Sequence, residues 1–384
     1  MAEDEVEKLH REHTGVLSIH PELSVKNRTE LGEAYTPGVA ELAKEIEADP
    51  DKKNLYTASG KLVAVVTDGS AVLGLGNIGA AGGLPIVEGK ALLYKDLANV
   101  DAIPLAVDQV EIEDFVKVIT NIQKSFAGIH LEDIAAPRCF AIEEALKEKL
   151  EIPVYHDDQE GSAIVVLAGL INAAKVVNKK LTDLKVVLAG VGAAGIATAN
   201  LLLASGIKHL SLVDIHGVVK SSDERYNEYQ RNLAGKVDSQ AGEVLDDVIK
   251  GADAFIGLSD AHVLSKDQVK SMAENPIVFA LANPIPEIDP NDAKEAGAKV
   301  IATGSSKYPN QVNNILAFPG LFKGLIKSGL KSVNLELEEK IASSLANLIK
   351  NPTPEKIVPG VFDQGVVEAV TACVEEYSKN LSKK

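Results

Sequence analysis

Residues 185–214, KVVLAGVGAAGIATANLLLASGIKHLSLVD, constrain the fold more than any other part of the chain. A short apolar run over 186–188 meets Gly190, Gly192 and Gly195, and an unbroken helical pattern then covers 193–205. This order predicts strand, tight turn and helix, followed by a second strand over 210–213 that ends in Asp214. The glycines have separate work: one permits the turn, one lets the backbone approach a pyrophosphate, and one lets the helix pack close to the strand. Phosphate would rest on the helix N-terminus, with Ala193 and Ala194 in its first turn. Asp214, about 20 residues past the glycines, would hold the ribose hydroxyls. The span 186–207 is apolar enough to suggest a membrane helix, but its glycines with Thr198, Asn200 and Ser205 argue against a lipid-facing surface.

A second Gly-x-Gly-x-x-Gly occurs at Gly74, Gly76 and Gly79, with Asp96 at nearly the same offset. Behind it comes AAGGLPIVEGK, where Gly82, Gly83 and Pro85 are expected to break the continuous helix that a phosphate site needs. The nucleotide is therefore assigned to the later copy, and the earlier one is read as a glycine-rich loop of other use. A chain of 384 residues, 46% hydrophobic, can bury a large core and is expected to split into two domains. A net charge of -16 without a basic stripe argues against a nucleic-acid partner, because nothing displaces counterions from its phosphates. An anionic substrate would then need a local positive centre. The charged start MAEDEVEKLHRE does not read as a secretory signal, no segment reads as a membrane anchor, and Cys139 and Cys373 are far apart. A cytoplasmic protein is expected, and a thiolate zinc site is not.

Residues 1–34 read as an N-terminal arm. In AYTPGVAELAKEIEAD, Thr36 is placed to cap a helix and Pro37 to open it, with Val39, Leu42, Ala43 and Ile46 on one face. Tyr35 would then precede a helix N-terminus, whose dipole favours the phenolate; the plain alternative is a packing tyrosine in a turn. A buried strand over 62–66 feeds the TDGSAVLGLGNIG loop, and Pro85 is expected to open a short helix bearing Lys90, taken alone an ordinary solvated lysine. Strands over 102–107 and 127–131 flank an amphipathic helix at 112–126. The second of these strands leads into Glu132 and Asp133, and a further strand leads into Asp157 and Asp158 before a long apolar helix. One acid pair reads as a cap or a surface feature. Two pairs at two strand ends point to three or four converging carboxylates, hard oxygen ligands suited to Mg2+ or Mn2+.

After a polar excursion over 215–250, strands resume at 254–258, 277–280 and 300–303, completing an alternating α/β pattern. Asn283 and Asn314 fall in loops at or beyond strand ends, the side on which open sheets bind ligands. From 313 onward the chain reads as helices, including 332–348 and 361–376. The fold expected is α/β: an N-terminal α/β domain over 1–158, then a Rossmann-type doubly wound dinucleotide-binding domain over 159–384, with C-terminal helices packing back.

The blocks AYTPGVA, TDGSAVLGLGNIG, VEGKALLYK, HLEDIAAPRCF, YHDDQEGSA, AGVGAAGIA, ALANPIPEI and YPNQVNNILAFPG, in this order, resemble the short bacterial or archaeal type of malic enzyme. The resemblance implies metal-dependent oxidative decarboxylation of L-malate to pyruvate and CO2, with NAD or NADP reduced and Mg2+ or Mn2+ bound. By it, Lys90 and Tyr35 are general base and general acid, and Glu132, Asp133 and Asp158 are metal ligands with Asp157 behind them. Asn283 and Asn314 read malate, Asn283 also facing the cofactor. Lys90 must be neutral to take the hydroxyl proton, and burial beside a divalent cation is expected to lower its pKa. A homodimer or larger homo-oligomer is implied, and the N-terminal arm could place Tyr35 in a neighbour's site.

The sequence also departs from that pattern. Larger members have an arginine after the TDG turn that grips a substrate carboxylate, where this chain has Ser70 and Ala71. Related short enzymes usually continue HDDQ with His-Gly-Thr, where this chain has Glu160, Gly161 and Ser162, and Glu160 is expected to add negative charge near the ligands. Asp214, followed by Ile215 and His216, favours NAD because an acid repels a 2′-phosphate, while His216 and Lys220 leave room for NADP. The rival readings are a malolactic enzyme or plain oxaloacetate decarboxylase on the same fold, an amino-acid dehydrogenase, and a sensing or structural protein that lost the chemistry. Net NADH production separates the first pair. The two acid pairs argue against the amino-acid dehydrogenase, which needs no metal.

Overall fold

A computed structural model describes residues 3–237 and 242–383. The arm holds α1 (Glu3–His13) and α2 (Arg28–Ala34), and α3 (Val39–Ala48) and α4 (Lys53–Tyr56) follow. Thr36 and Pro37 do not open α3 as expected. Its N-cap is Gly38, and Tyr35 is the C-cap of α2, donating its N–H to Leu31 O. Tyr35 thus sits between the C-terminal end of α2 and the start of α3, whose Val39 N–H donates to Tyr35 O (2.9 Å).

Four strands alternate with helices to build the first sheet: β1 (Leu62–Thr67), α5 (Gly79–Ala98), β2 (Asp101–Ala106), α6 (Ile112–Ile122), β3 (Gly128–Glu132), α7 (Arg138–Lys149) and β4 (Val154–His156). The order is β2-β1-β3-β4, with every pairing parallel. β1 is interior, and Val63, Ala64, Val65 and Val66 are fully buried, which explains a continuous apolar run instead of an alternating one.

Contrary to expectation, α5 runs unbroken through Gly82, Gly83 and Pro85. Tertiary packing outweighs propensity here. Val87, Ala91, Tyr94 and Ala98 are buried at helical spacing, each large side chain worth about 1.5–3 kcal/mol. At Gly83 a Cβ would lie 3.0 Å from Thr67 Cγ2, so its absence lets the helix lie against β1. The long helix carries Lys90 to the end of the sheet where the acid pairs emerge.

A single-turn π-helix (Asp157–Gly161) leads into α8 (Ser162–Val176), most of whose residues are buried. The second unit comprises β5 (Lys185–Ala189), α9 (Ala193–Ala204), β6 (His209–Asp214), β7 (Gly217–Val218), α10 (Glu228–Ala234), α11 (Leu245–Val248), β8 (Ala254–Gly257), α12 (Lys266–Ser271), β9 (Ile277–Ala280), α13 (Pro290–Glu295) and β10 (Val300–Thr303). Its sheet order, β10-β9-β8-β5-β6-β7, is parallel except for β7, and reverses direction between β5 and β8 as in a doubly wound dinucleotide fold. The last helices are α14 (Phe318–Ser328), α15 (Leu335–Asn347) and α16 (Val366–Leu381). They pack back as expected: α15 lies on α8 and α9, and α14 reaches α5, with Phe318 and Phe322 edge-on to Tyr94. Among the described residues no helix is long and apolar enough to cross a membrane.

Candidate active site

Strand alternation decides which side chains meet. Residues two apart on a strand share a face, so His130 and Glu132 leave β3 together, Tyr155 and Asp157 leave β4 together, and His156 and Asp158 leave on the other face. Lys90, with its side chain 13% exposed, reaches the first group. Its Nζ donates to Asp157 Oδ2, lies 3.2 Å from Glu132 Oε1 and 3.3 Å from Asn314 Oδ1, and stands 4.7 Å over the Phe318 ring. The second oxygen of each carboxylate is also taken. Tyr155 Oη donates to Asp157 Oδ1 (2.8 Å), and Glu132 Oε2 lies 2.7 Å from His130 Nε2, whose Nδ1 meets Tyr94 Oη at 2.8 Å.

Burial alone would push the Lys90 ammonium down. The Asp157 and Glu132 carboxylates outweigh it and hold Lys90 above the ordinary lysine range. The expected lowering concerned a lysine beside a bound divalent cation; in the arrangement described, Lys90 is a charged donor. Burial also drives the Tyr94 and Tyr155 phenols well above their usual values, reinforced by Asp157 and Glu132 at Tyr94 and by Asp157 and Glu160 at Tyr155.

Glu132, Asp133 and Asp158 offer carboxylate oxygens that all lie within 4.8 Å of one another. Asp133 takes a left-handed backbone, φ +57°, and its amide donates to Asp158 Oδ2 at 2.8 Å. Asp133 Oδ2 is buried and has no hydrogen-bond partner among the described residues. Burial, with Glu132 and Asp158 adding like charge, raises the Asp133 carboxyl to about 8. Asp158 goes the other way: burial opposes its charge, but His156, Lys90 and the Asp133 amide hold it below the usual range. An orphaned buried oxygen among converging acids is what a divalent cation would satisfy, so this set fits Mg2+ or Mn2+. Ligand atoms of His130, Glu132 and Asp157 also lie within 4.8 Å of one another, but Lys90 and the tyrosines already occupy them.

Glu160 does not face the acid set as expected. It turns inward, pairing with Lys147 (2.6 Å) and accepting from the His156 amide (3.0 Å). Ser70 and Ala71 have a structural role: Ser70 Oγ accepts from the Ala135 amide (2.8 Å), and the Ala71 amide donates to Asp133 O (3.0 Å). These bonds join the TDGSA loop to the loop bearing Asp133. Arg138 does not line the cavity between the two units; its Nε donates to Asp68 Oδ2 (3.1 Å), while its Nη2 is buried without a partner among the described residues.

Asp158 of the acid set opens on this cavity of about 420 Å3 between the two units. Asp158, Asn283 and Asn314 line it together with Gly192, Ala193 and Ala194, so the structure brings these six expected site residues to one place, and Lys90 Nζ reaches it through Asn314. Two of the glycines meet the steric demands that the sequence suggested, the turn at Gly190 and the close packing at Gly195. Gly190 has φ +98°, a Cβ at Gly195 would stand 1.9 Å from Gly190 O, and one at Gly192 would meet nothing within 4 Å. Asp214 ends β6 and accepts from the Ile215 amide (2.7 Å), outside the cavity lining. Tyr35 is not brought in. It is 67% exposed and outside the cavity. Sequence reasoning missed Tyr94, His130, Tyr155 and His156, although period-two spacing from Glu132, Asp157 and Asp158 marks three of them, and it missed Ser162, Ser259 and Asn313 in the cavity wall.

Residues 159–377 match the family model described as malic enzyme, NAD binding domain, and residues 17–111 match malic enzyme, N-terminal domain. The chain is 47% identical over 366 residues to an NAD-dependent malic enzyme of Geobacillus stearothermophilus, covering 94% of this chain and 76% of the relative. It is 44% identical to a bifunctional malic/malolactic enzyme of Bacillus subtilis, covering 97% and 92%. A crystal structure of malic enzyme from Pyrococcus horikoshii superposes with a TM-score of 0.95 at 40% identity, covering 100% of this chain and 92% of that one.

Proposed function

This chain belongs to the malic enzyme family, and from that premise we propose that it oxidatively decarboxylates L-malate to pyruvate and CO2 while reducing a nicotinamide nucleotide. The observation that carries the reading is Lys90 fixed between Glu132 and Asp157 and 3.3 Å from Asn314 Oδ1, a residue that lines the same cavity as Gly192. We read NAD as the nucleotide, since Asp214 would repel a 2′-phosphate. Glu132, Asp133 and Asp158 would hold the divalent cation, which supplies Lewis acidity for the substrate oxygen when bound.

The chain's own groups then divide the work. Asn283 and Asn314 would orient the dicarboxylate, in the absence of any arginine in the cavity lining. Lys90, an ammonium in the arrangement described, must pass a proton from Nζ to Asp157 or Glu132 before it can accept one from the C2 hydroxyl. Protonation at C3 after CO2 departs would fall to Tyr35. Its exposure, beside exposed Leu31 and Val39, suits a tyrosine delivered into the cavity of a second copy, so we read the protein as a homo-oligomer.

The test is NADH absorbance after adding L-malate, NAD and Mn2+ to the purified protein, with EDTA and NADP controls, and with pyruvate and lactate assayed at the end. Metal-dependent NADH with matching pyruvate is expected. Lactate without net NADH would replace the reading with a malolactic one, and NADP outpacing NAD would overturn the role given to Asp214.

A further inference from the structure

We infer that Glu287 is a positioning residue that holds the nucleotide-side wall of the cavity by clamping the ends of β8 and β9 together. Glu287 is fully buried in the loop after β9. Its Oε1 accepts from the Ser259 amide (3.0 Å) and Ser259 Oγ (3.3 Å), and its Oε2 accepts from the Ala282 amide (3.0 Å). Ser259 follows β8, Ala282 follows β9, and both line the cavity that Gly192 also lines. One carboxylate therefore spans two strand ends that the sheet itself no longer joins. Hydrogen bonds from charged groups are the strong ones, and Glu287 has its two oxygens divided between the two loops.

The surroundings are shaped for this. At Gly257, on β8, a Cβ would stand 2.3 Å from Glu287 Cδ, so the strand residue beneath the clamp has to be glycine. A Cβ at Gly304 would lie 2.3 Å from Asn283 Nδ2, which brackets Asn283 immediately after the clamped Ala282. On the far side, a Cβ at Gly74 would lie 3.1 Å from Pro284 Cδ, so the loop of the first unit rests on the same turn. The reach of Glu287 thus fixes Ser259, Ala282 and, through the backbone, Asn283.

The inference rests on the reading that this wall receives the nucleotide, so NADH binding to the full-length wild-type protein is measured first, by the rise in NADH fluorescence. Glu287→Gln keeps the reach but turns an amide NH2 towards one backbone N–H, and Glu287→Asp keeps the charge but withdraws it from both loops. Each is expected to raise the NADH Kd by about tenfold while Mn2+ affinity, read by electron paramagnetic resonance, stays within about twofold of wild type. If Glu287→Gln does not fold, Glu287→Asp gives the answer. NADH Kd unchanged in both variants would overturn the inference, as would NADH and Mn2+ affinity falling together with Tm. Failure of the wild type to bind NADH would instead remove the nucleotide reading itself.

Discussion

Gly192→Ala separates folding from nucleotide binding, because the structure assigns the two opposite signs. Gly192 has φ -79° and ψ -160°, a region open to any residue, and a Cβ there meets no atom within 4 Å. Replacing glycine by alanine at a compatible backbone removes freedom from the unfolded chain, worth about 0.4–1 kcal/mol of added stability. The new methyl nevertheless projects where a pyrophosphate would approach the N-terminus of α9. Losing one hydrogen bond to a charged group, about 1.5–3 kcal/mol, raises the NADH Kd roughly 10- to 150-fold. Thermal unfolding and NADH fluorescence on the same preparation check both halves. Gly190→Ala is the contrast, since φ +98° and a Cβ 2.3 Å from Leu258 O predict lost stability before any effect on binding. NADH affinity within twofold of wild type in a normally folded Gly192→Ala protein would refute the placement of the pyrophosphate.

Asp158→Asn should weaken Mn2+ binding by at least about tenfold, measured by electron paramagnetic resonance without substrate, because it removes one charge from the acid set. Unchanged affinity would remove Asp158 from that set. Asp133, with its carboxyl raised to about 8, binds a proton in the folded state that the unfolded chain releases near 4, so its contribution to metal-free stability is lost as pH rises through about 8. Asp133→Asn should therefore gain Tm over the metal-free wild type most clearly at pH 8 and above, and a gain confined to acid pH would contradict the assignment. Mixing inactive Tyr35→Phe with inactive Lys90→Ala, under conditions that exchange subunits, should restore about a quarter of wild-type activity if Tyr35 serves a partner's cavity in a dimer. No recovery despite demonstrated exchange would place Tyr35 in its own subunit or out of the reaction.

The two sheets were legible because parallel strands buried on both faces write continuous apolar runs, and 62–66, 277–280 and 300–303 were placed within a residue or two of the observed strands. The glycine loop was legible because Gly190 and Gly195 answer separate steric demands, a positive φ and a close approach of helix to strand. What failed was local propensity read without its tertiary setting. Gly82, Gly83 and Pro85 look like helix breakers, yet Gly83 is the residue that lets α5 approach β1, and buried Tyr94 and Val87 hold the helix through the proline. Lys90 could not be assigned its charge state from sequence, because that depends on which oxygens of Asp157 and Glu132 face it across three elements. Glu160 misled for the same reason: its position after HDDQ says nothing about the π-helical turn that swings it towards Lys147.

Glu132 belongs to both halves of the site, and this sharing makes a prediction that simple loss of function would not. Its Oε1 lies 3.2 Å from Lys90 Nζ, while the same residue completes the acid set with Asp133 and Asp158. A bound dication and the Lys90 ammonium therefore compete for one carboxylate and repel each other. Unit charges 4 Å apart interact by about 4 kcal/mol at an effective dielectric of about 20, and a dication doubles that. Even a sixth of the doubled repulsion, roughly 1.4 kcal/mol, is a factor of ten in affinity. Lys90→Met, of similar length and without charge, should accordingly bind Mn2+ about tenfold more tightly than wild type although it cannot move a proton. Asp157 keeps its bond from Tyr155 in that variant, so the neighbouring carboxylate is not left bare. Calorimetric titration with Mn2+ reads the affinity directly, and a Lys90→Met protein that binds the ion as wild type does, or more weakly, would show that Lys90 and the acid set act independently of Glu132.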